Sequence, residues 1–120
     1  MEEPPAIESC SLAERVVLLA ITDAVIDGDA PVASVDIRPR CQSLLEHVAT
    51  EVVSSPGESE VMRALSVLGT EPYVRELRSH DSPTGKGRPQ YDLETNPSEM
   101  LNALERDDQL ADAVEFVKSE

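Results

Sequence analysis

Hydrophobic positions in the first half of the chain recur at helical spacing and predict three helices. The first begins at the capping box 11–14 (SLAE) and ends near residue 26, before the stop signal 27–29 (DGD). The second spans 36–53, with Asp36 as its cap, and the third spans 56–68 behind the capping sequence SPGE. A short strand is expected between the first two helices, near residues 31–35.

The second half changes to a two-residue period and then back to helix. Residues 73–78 and 90–94 alternate between apolar and polar positions, which predicts a hairpin with a long tip over 79–89. Asn96-Pro97 opens a final helical region that Asp107-Asp108 divides, so one helix or two both fit. The prediction is a mainly α fold with a small β-hairpin (α+β). It has a tail at 1–10, a domain at 11–94 and a C-terminal helical region at 95–120.

The first helix is apolar on more than one side, which indicates burial on most sides. Hydrophobic residues make up 40% of the chain, enough for one core but not a large one, and with no Trp, one Phe and two Tyr that core is aliphatic. Help from a second subunit is therefore expected. The predicted homodimer interface uses the first and last helices, at Leu12, Val16, Leu19, Leu110, Val114 and Val117.

Charge is distributed unevenly along this acidic chain, whose formal net charge is −14. Residues 1–37 hold eight acidic residues and one Arg, net −7, and residues 92–120 hold nine acidic residues, Arg106 and Lys118, also net −7. Residues 38–91 hold seven of each sign and are neutral. An acidic, Lys-poor composition is similar to that of haloarchaeal proteins, although an ordinary acidic interaction protein also fits. The neutral segment is where a polyanion would be tolerated.

Residues 84–93 (TGKGRPQYDL) resemble the wing of PadR-like and related small archaeal regulators. Those wings carry a Gly-basic-Gly-Arg-Pro tip that leads into a Tyr-x-Leu strand, and the order of predicted elements is that of a winged helix-turn-helix. The resemblance covers residues 11–94 and makes helices 36–53 and 56–68 the helix-turn-helix pair. It implies a DNA-binding transcription regulator, with a recognition helix in the major groove and a wing on the backbone or minor groove.

Candidate DNA-binding residues follow from this arrangement. Arg63 is the only long donor on the solvent side of the third helix and is the candidate for a base contact. Arg38 and Arg40 open the second helix and are candidates for a phosphate clamp. The full set of candidates is Arg38, Arg40, Ser55, Ser59, Arg63, Ser66, Arg75, Arg78, His80, Thr84, Lys86 and Arg88.

Each feature also has a plainer interpretation. The wing could be only a hairpin tip, Arg63 a solvated helix residue, and Arg38 and Arg40 surface charges. Cys41 fits a core position better than a redox sensor, and Cys10 falls in the predicted tail.

Other classes of function lack the residues that they need. No Cys or His spacing suits a metal, no catalytic arrangement or cofactor motif stands out, and too few aromatic residues are present for RNA binding by stacking. The sequence predicts no signal peptide, membrane span or small-molecule pocket.

The sequence therefore predicts a non-enzymatic, cofactor-free regulator that binds double-stranded DNA as a homodimer. It is expected in the cytoplasm with the nucleoid of a halophilic archaeon, and a response to stress is one option. The alternative is a winged-helix module that binds another protein and no DNA. A third option is non-specific association with chromatin.

Overall fold

The computed structural model describes residues 10–47, 58–78 and 89–118 of the chain. Within them the elements run α1 (Leu12–Asp27), β1 (Val32–Ala33), α2 (Ser34–Leu45), α3 (Glu58–Leu68), β2 (Val74–Arg78), β3 (Pro89–Leu93), α4 (Pro97–Glu105) and α5 (Ala111–Lys118). These described residues are mostly helical with one small antiparallel sheet, which confirms the predicted α+β class. This order is compatible with a winged helix. No helix in the described ranges is long and apolar enough to cross a bilayer.

Local signals fix both ends of α1, as predicted. The Ser11 hydroxyl accepts from the Glu14 amide, and the Glu14 carboxylate accepts from the Ser11 amide, so both halves of the capping box form. At the other end Gly28 adopts φ +81°, a left-handed conformation that favours glycine, and its amide closes the last turn.

The start of α2 differs from its prediction. The helix begins at Ser34 with Ala33 as its cap, so Asp36 lies in the first turn and does not cap it. Asp36 was predicted as the cap because its side chain can accept a hydrogen bond from a helix amide. In the structure α2 follows β1 without a loop, so the last residue of β1, Ala33, occupies the cap position. The helix ends at Leu45 and residues 46–47 form a turn, so the predicted continuation is wrong at these two positions. The rest of the predicted extension to residue 53, and the turn after it, lie outside the described residues.

The sheet has the order β1-β3-β2, and both pairings are antiparallel. Val32 pairs with Tyr91 at one side of β3, while Val74 pairs with Leu93 at the other. The hairpin of β2 and β3 confirms the period-two prediction for these segments. Arg78 is the partner of Pro89 at the end of the ladder, so residues 79–88 join the two strands there.

The core surrounds α1, which packs against α2, α3, α4 and β3. Residues Val16 to Ile21 are at most 1% exposed. The polar residue that follows them is also satisfied, since Thr22 Oγ1 donates to the Leu18 carbonyl at 2.8 Å. The all-round apolar character of α1 is therefore explained within one chain.

The C-terminal region consists of two helices that complete this core. Asn96 caps α4 through the Ser98 amide, and the chain turns at Asp107 before α5 begins. Phe116 of α5 stacks on His47 at the end of α2, with ring centroids 4.0 Å apart. Leu110, Val114 and Val117 are fully buried here.

These burials correct the proposed dimer interface. Val16, Leu19, Leu110, Val114 and Val117 are all at most 1% exposed within a single chain and offer no surface to a partner. The side chain of Leu12 is outside the description. The sequence pattern suggested a second subunit because it does not reveal that α4 packs against both α1 and α5 within one chain.

Candidate nucleic-acid interface

Helix α3 divides sharply into a buried and an exposed side. Val61, Ala64, Leu65 and Leu68 are at most 2% exposed, and they hold the helix against α1 and α2. The opposite side presents Ser59, Met62, Arg63, Ser66 and Val67 to solvent, and we call these five residues the α3 face. A regular helical stripe on each side is what anchors a helix while leaving its outer surface free for a ligand.

The predicted residues on the α3 face lie where the sequence placed them. Ser59, Arg63 and Ser66 are all exposed. Ser66 Oγ donates to the Met62 carbonyl at 3.0 Å, so its proton is in use and its oxygen remains an acceptor. The α3 face therefore offers a cationic donor and hydroxyl groups side by side.

Elsewhere among the described residues, most Lys and Arg side chains pair with carboxylates. Arg15 pairs with Asp107 at 2.7 Å, Lys118 with Glu105 at 2.8 Å and Arg75 with Glu94 at 3.2 Å. Among the described side chains, only Arg38, Arg63 and Arg106 form no ion pair. Two of these three lie on α2 and α3, the predicted helix-turn-helix pair.

Arg40 corrects the phosphate-clamp prediction. Its guanidinium donates to Asp23 at 2.8 Å and Asp27 at 3.1 Å, and it also pairs with Asp29. Burial opposes the charge, yet the hydrogen bonds to Asp27 and Asp23 outweigh burial and raise the pKa of Arg40. A guanidinium shared by three carboxylates is not available to a phosphate, so Arg40 fastens α2 to the end of α1.

Arg38 and Arg75 remain accessible to different degrees. Arg38 is exposed and free of ion pairs within the described residues. Arg75 is 57% exposed, but its partner Glu94 competes with any phosphate. An exposed pair of this kind is weak, so Arg75 keeps access to a strong anion.

The predicted wing residues, and Ser55 before α3, fall mainly outside the described part of the chain. Ser55, His80, Thr84, Lys86 and Arg88 lie outside the described residues, as does the side chain of Arg78. The described strands nevertheless fix where that segment starts and ends. Arg78 and Pro89, the residues that bound this segment in sequence, are paired with each other at the last position of the described ladder.

The two cysteines have the chemistry of structural thiols. Burial raises the pKa of the Cys41 thiol to about 12. Burial also raises the pKa of Cys10, whose Sγ lies 3.4 Å from the hydroxyl of Tyr73, a buried residue immediately before β2. Cys10 is thus anchored and does not belong to a free tail, and neither thiol is activated as a thiolate.

A cleft that sequence reasoning missed lies beside Arg40. It has a volume of about 660 Å³ and is lined by acidic residues of α1 and α2, by β1 and by Phe116. Asp23 also lines it and has one buried oxygen, Oδ1, without a hydrogen-bond partner. Among the described residues no group of three His, Cys, Asp or Glu side chains is placed to hold a metal ion.

Comparisons with known proteins supply one likeness of fold. No family model matches the chain, and no curated protein matches it either. A solved structure of the Aeropyrum pernix ORC1 protein in complex with DNA superimposes with a TM-score of 0.61 at 24% identity over 88% of this chain. This chain spans 26% of the length of that one, so the likeness concerns one part of a larger protein.

Proposed function

We propose that the protein binds double-stranded DNA as a winged-helix protein, with α3 in the major groove. The observation that carries the proposal is the α3 face, on which Arg63 is exposed and free of any carboxylate partner within the described residues. In a chain of net charge −14, an unpaired guanidinium between hydroxyl side chains is suited to the acceptor atoms of base edges.

Three further observations support this assignment. Arg38 on α2 is also free of ion pairs, and it adds a second cation on the neighbouring helix. The segment that connects β2 to β3 in sequence, residues 79–88, contributes two further basic residues, Lys86 and Arg88. The ORC1 protein of similar fold was solved in complex with DNA.

The finer form of the proposal is a transcription regulator of a salt-adapted cell, located with the nucleoid. It rests on the sequence alone, through the wing motif at 84–93 and the acidic, Lys-poor composition. A homodimer on a pseudo-palindromic site belongs to the same proposal. Its interface must be a surface other than the buried residues of α1 and α5.

The test compares two arginines that differ only in their position. Arg63 and Arg106 are both exposed and free of ion pairs within the described part of the chain, but Arg106 lies in the turn between α4 and α5. We expect Arg63→Ala to weaken binding to a selected DNA site by about 5- to 150-fold, the range for loss of a bidentate base contact. Arg106→Ala should change affinity less than about twofold.

Fluorescence anisotropy with labelled duplexes at constant molar KCl measures both variants, and circular dichroism confirms that they fold. If both variants lost the same amount of DNA affinity, the effect of Arg63 would be explained by the change in net charge and not by a contact with a base. Absence of binding by the wild-type protein to genomic fragments would reject the proposal and leave the protein-interaction alternative.

A further inference from the structure

The α3 face carries two exposed apolar side chains for which the sequence predicts no role. Met62 is 42% exposed and Val67 is 40% exposed, and both lie on the solvent side of α3. A single exposed apolar residue needs no explanation. Two exposed apolar residues on the α3 face, one on either side of Arg63 in sequence, indicate which chemical groups this face contacts.

Their positions around the helix are informative. At about 100° per residue, Met62 and Val67 are about 140° apart, at opposite margins of the exposed arc. Ser59, Arg63 and Ser66 lie between them. Along the axis Met62 and Val67 are separated by about 7.5 Å, which is close to two base-pair steps of DNA.

This arrangement does not suit a protein groove. An amphipathic helix that enters such a groove presents apolar residues in one continuous stripe at i, i+3, i+4 and i+7. On α3 the continuous stripe is the buried one, and the exposed apolar residues are separated by hydroxyl groups and a guanidinium. The α3 face instead matches a surface with hydrogen-bonding groups at its centre and apolar points at its two margins.

The major groove of DNA at thymine is such a surface. Base-edge donors and acceptors occupy its floor, and each thymine adds a C5-methyl group towards the backbone of its own strand. We propose that Met62 and Val67 are specificity residues that contact thymine methyl groups on either side of the base read by Arg63. This inference rests on the proposed DNA binding and names the kind of site: thymines on both flanks of a central guanine.

One charged residue beside the α3 face constrains how the helix lies in the groove. Glu60 is exposed on the same margin as Val67, about 10 Å nearer to the start of the helix. A carboxylate is repelled by phosphate but accepts a hydrogen bond from the amino group of cytosine. Glu60 therefore favours a position over the base edges and not against the backbone.

The experiment removes single methyl groups from the DNA. Sites are first selected from a random duplex pool, and individual thymines of the selected site are then replaced by uracil, which differs only in lacking the methyl group. We expect about three- to fivefold weaker binding for each contacted methyl, the scale of one buried carbon. Met62→Ala and Val67→Ala should each abolish the thymine–uracil difference at one position, as a double-mutant cycle.

Ile26→Ala is the matched control, because Ile26 is also 40% exposed but lies at the end of α1. It should keep every thymine–uracil difference. A wild-type protein that binds the site equally well with uracil, or a selection that enriches no sequence, would overturn the inference while the DNA-binding proposal stands. Variants that weaken thymine and uracil duplexes equally would also overturn it. Failure to bind any duplex would reject the proposed function itself.

Discussion

Two arginines on α2, two positions apart, have opposite roles. Arg38 and Arg40 are separated by about 200° around the helix, so they face nearly opposite sides. Arg40 points to Asp23, Asp27 and Asp29, whereas Arg38 is exposed without an ion pair in the described residues. The helical period alone implies that both could not clamp one phosphate, but the identity of the partner required the fold.

Arg40→Ala should destabilise the protein. It leaves Asp23, whose side chain is only 11% exposed, with neither oxygen hydrogen-bonded. A nearly buried carboxylate without a partner costs about 2 kcal/mol or more of the free energy of unfolding. Urea denaturation at fixed molar KCl measures this loss, and Arg38→Ala, on the same helix, should stay within about 0.5 kcal/mol of wild type. Equal stabilities of the two variants would show that the three aspartates do not need Arg40.

The elements that the sequence predicted best are those with local start and stop signals. The capping box at Ser11 and the glycine at position 28 bound α1, and both act through contacts within one turn. The pairing of β1 with β3 could not be predicted, because a strand of two residues is defined only by its distant partner. The prediction of the dimer interface was wrong for the same reason, because α1 is buried partly by α4, which lies far along the chain.

On the α3 face the predicted polar residues were correctly exposed, but Met62 and Val67 were overlooked. Hydrophobic residues are usually assigned to the core, and the period of α3 alone already placed these two outside it. The signal was therefore present in the sequence, in the mismatch between residue type and helical position. The partners of Arg75 and Arg40 carried no such signal, because they depend on how separate elements pack.

Leu110→Ala tests the role of the C-terminal helices as core. Leu110 is fully buried immediately before α5, so truncation should leave a cavity and lower the free energy of unfolding by about 2–5 kcal/mol. Thermal unfolding followed by circular dichroism should show the same decrease in Tm at every protein concentration. A decrease in Tm that depends on protein concentration would instead place Leu110 in a subunit interface.

At the scale of the whole molecule, the acidic charge and the proposed DNA binding have to coexist. The two flanking segments carry all of the net charge, and residues 38–91 are neutral. Within the described residues, the body neutralises Arg15, Arg40 and Lys118 with its own carboxylates, which leaves few cations for phosphate. Affinity must then come mainly from shape, base-edge hydrogen bonds and apolar contact.

The salt dependence of DNA binding should therefore be shallow. If Arg38, Arg63, Lys86 and Arg88 are the cations that meet phosphate or base, counterion release gives a slope of log K against log[KCl] of about −4. A regulator that makes many phosphate contacts shows a slope near −10. Anisotropy titrations between about 0.5 and 3 M KCl measure the slope, and Lys86→Ala should reduce its magnitude by about one. A slope steeper than about −7 would require more cationic contacts than these four side chains supply, and residues now paired with carboxylates would have to exchange those partners for DNA.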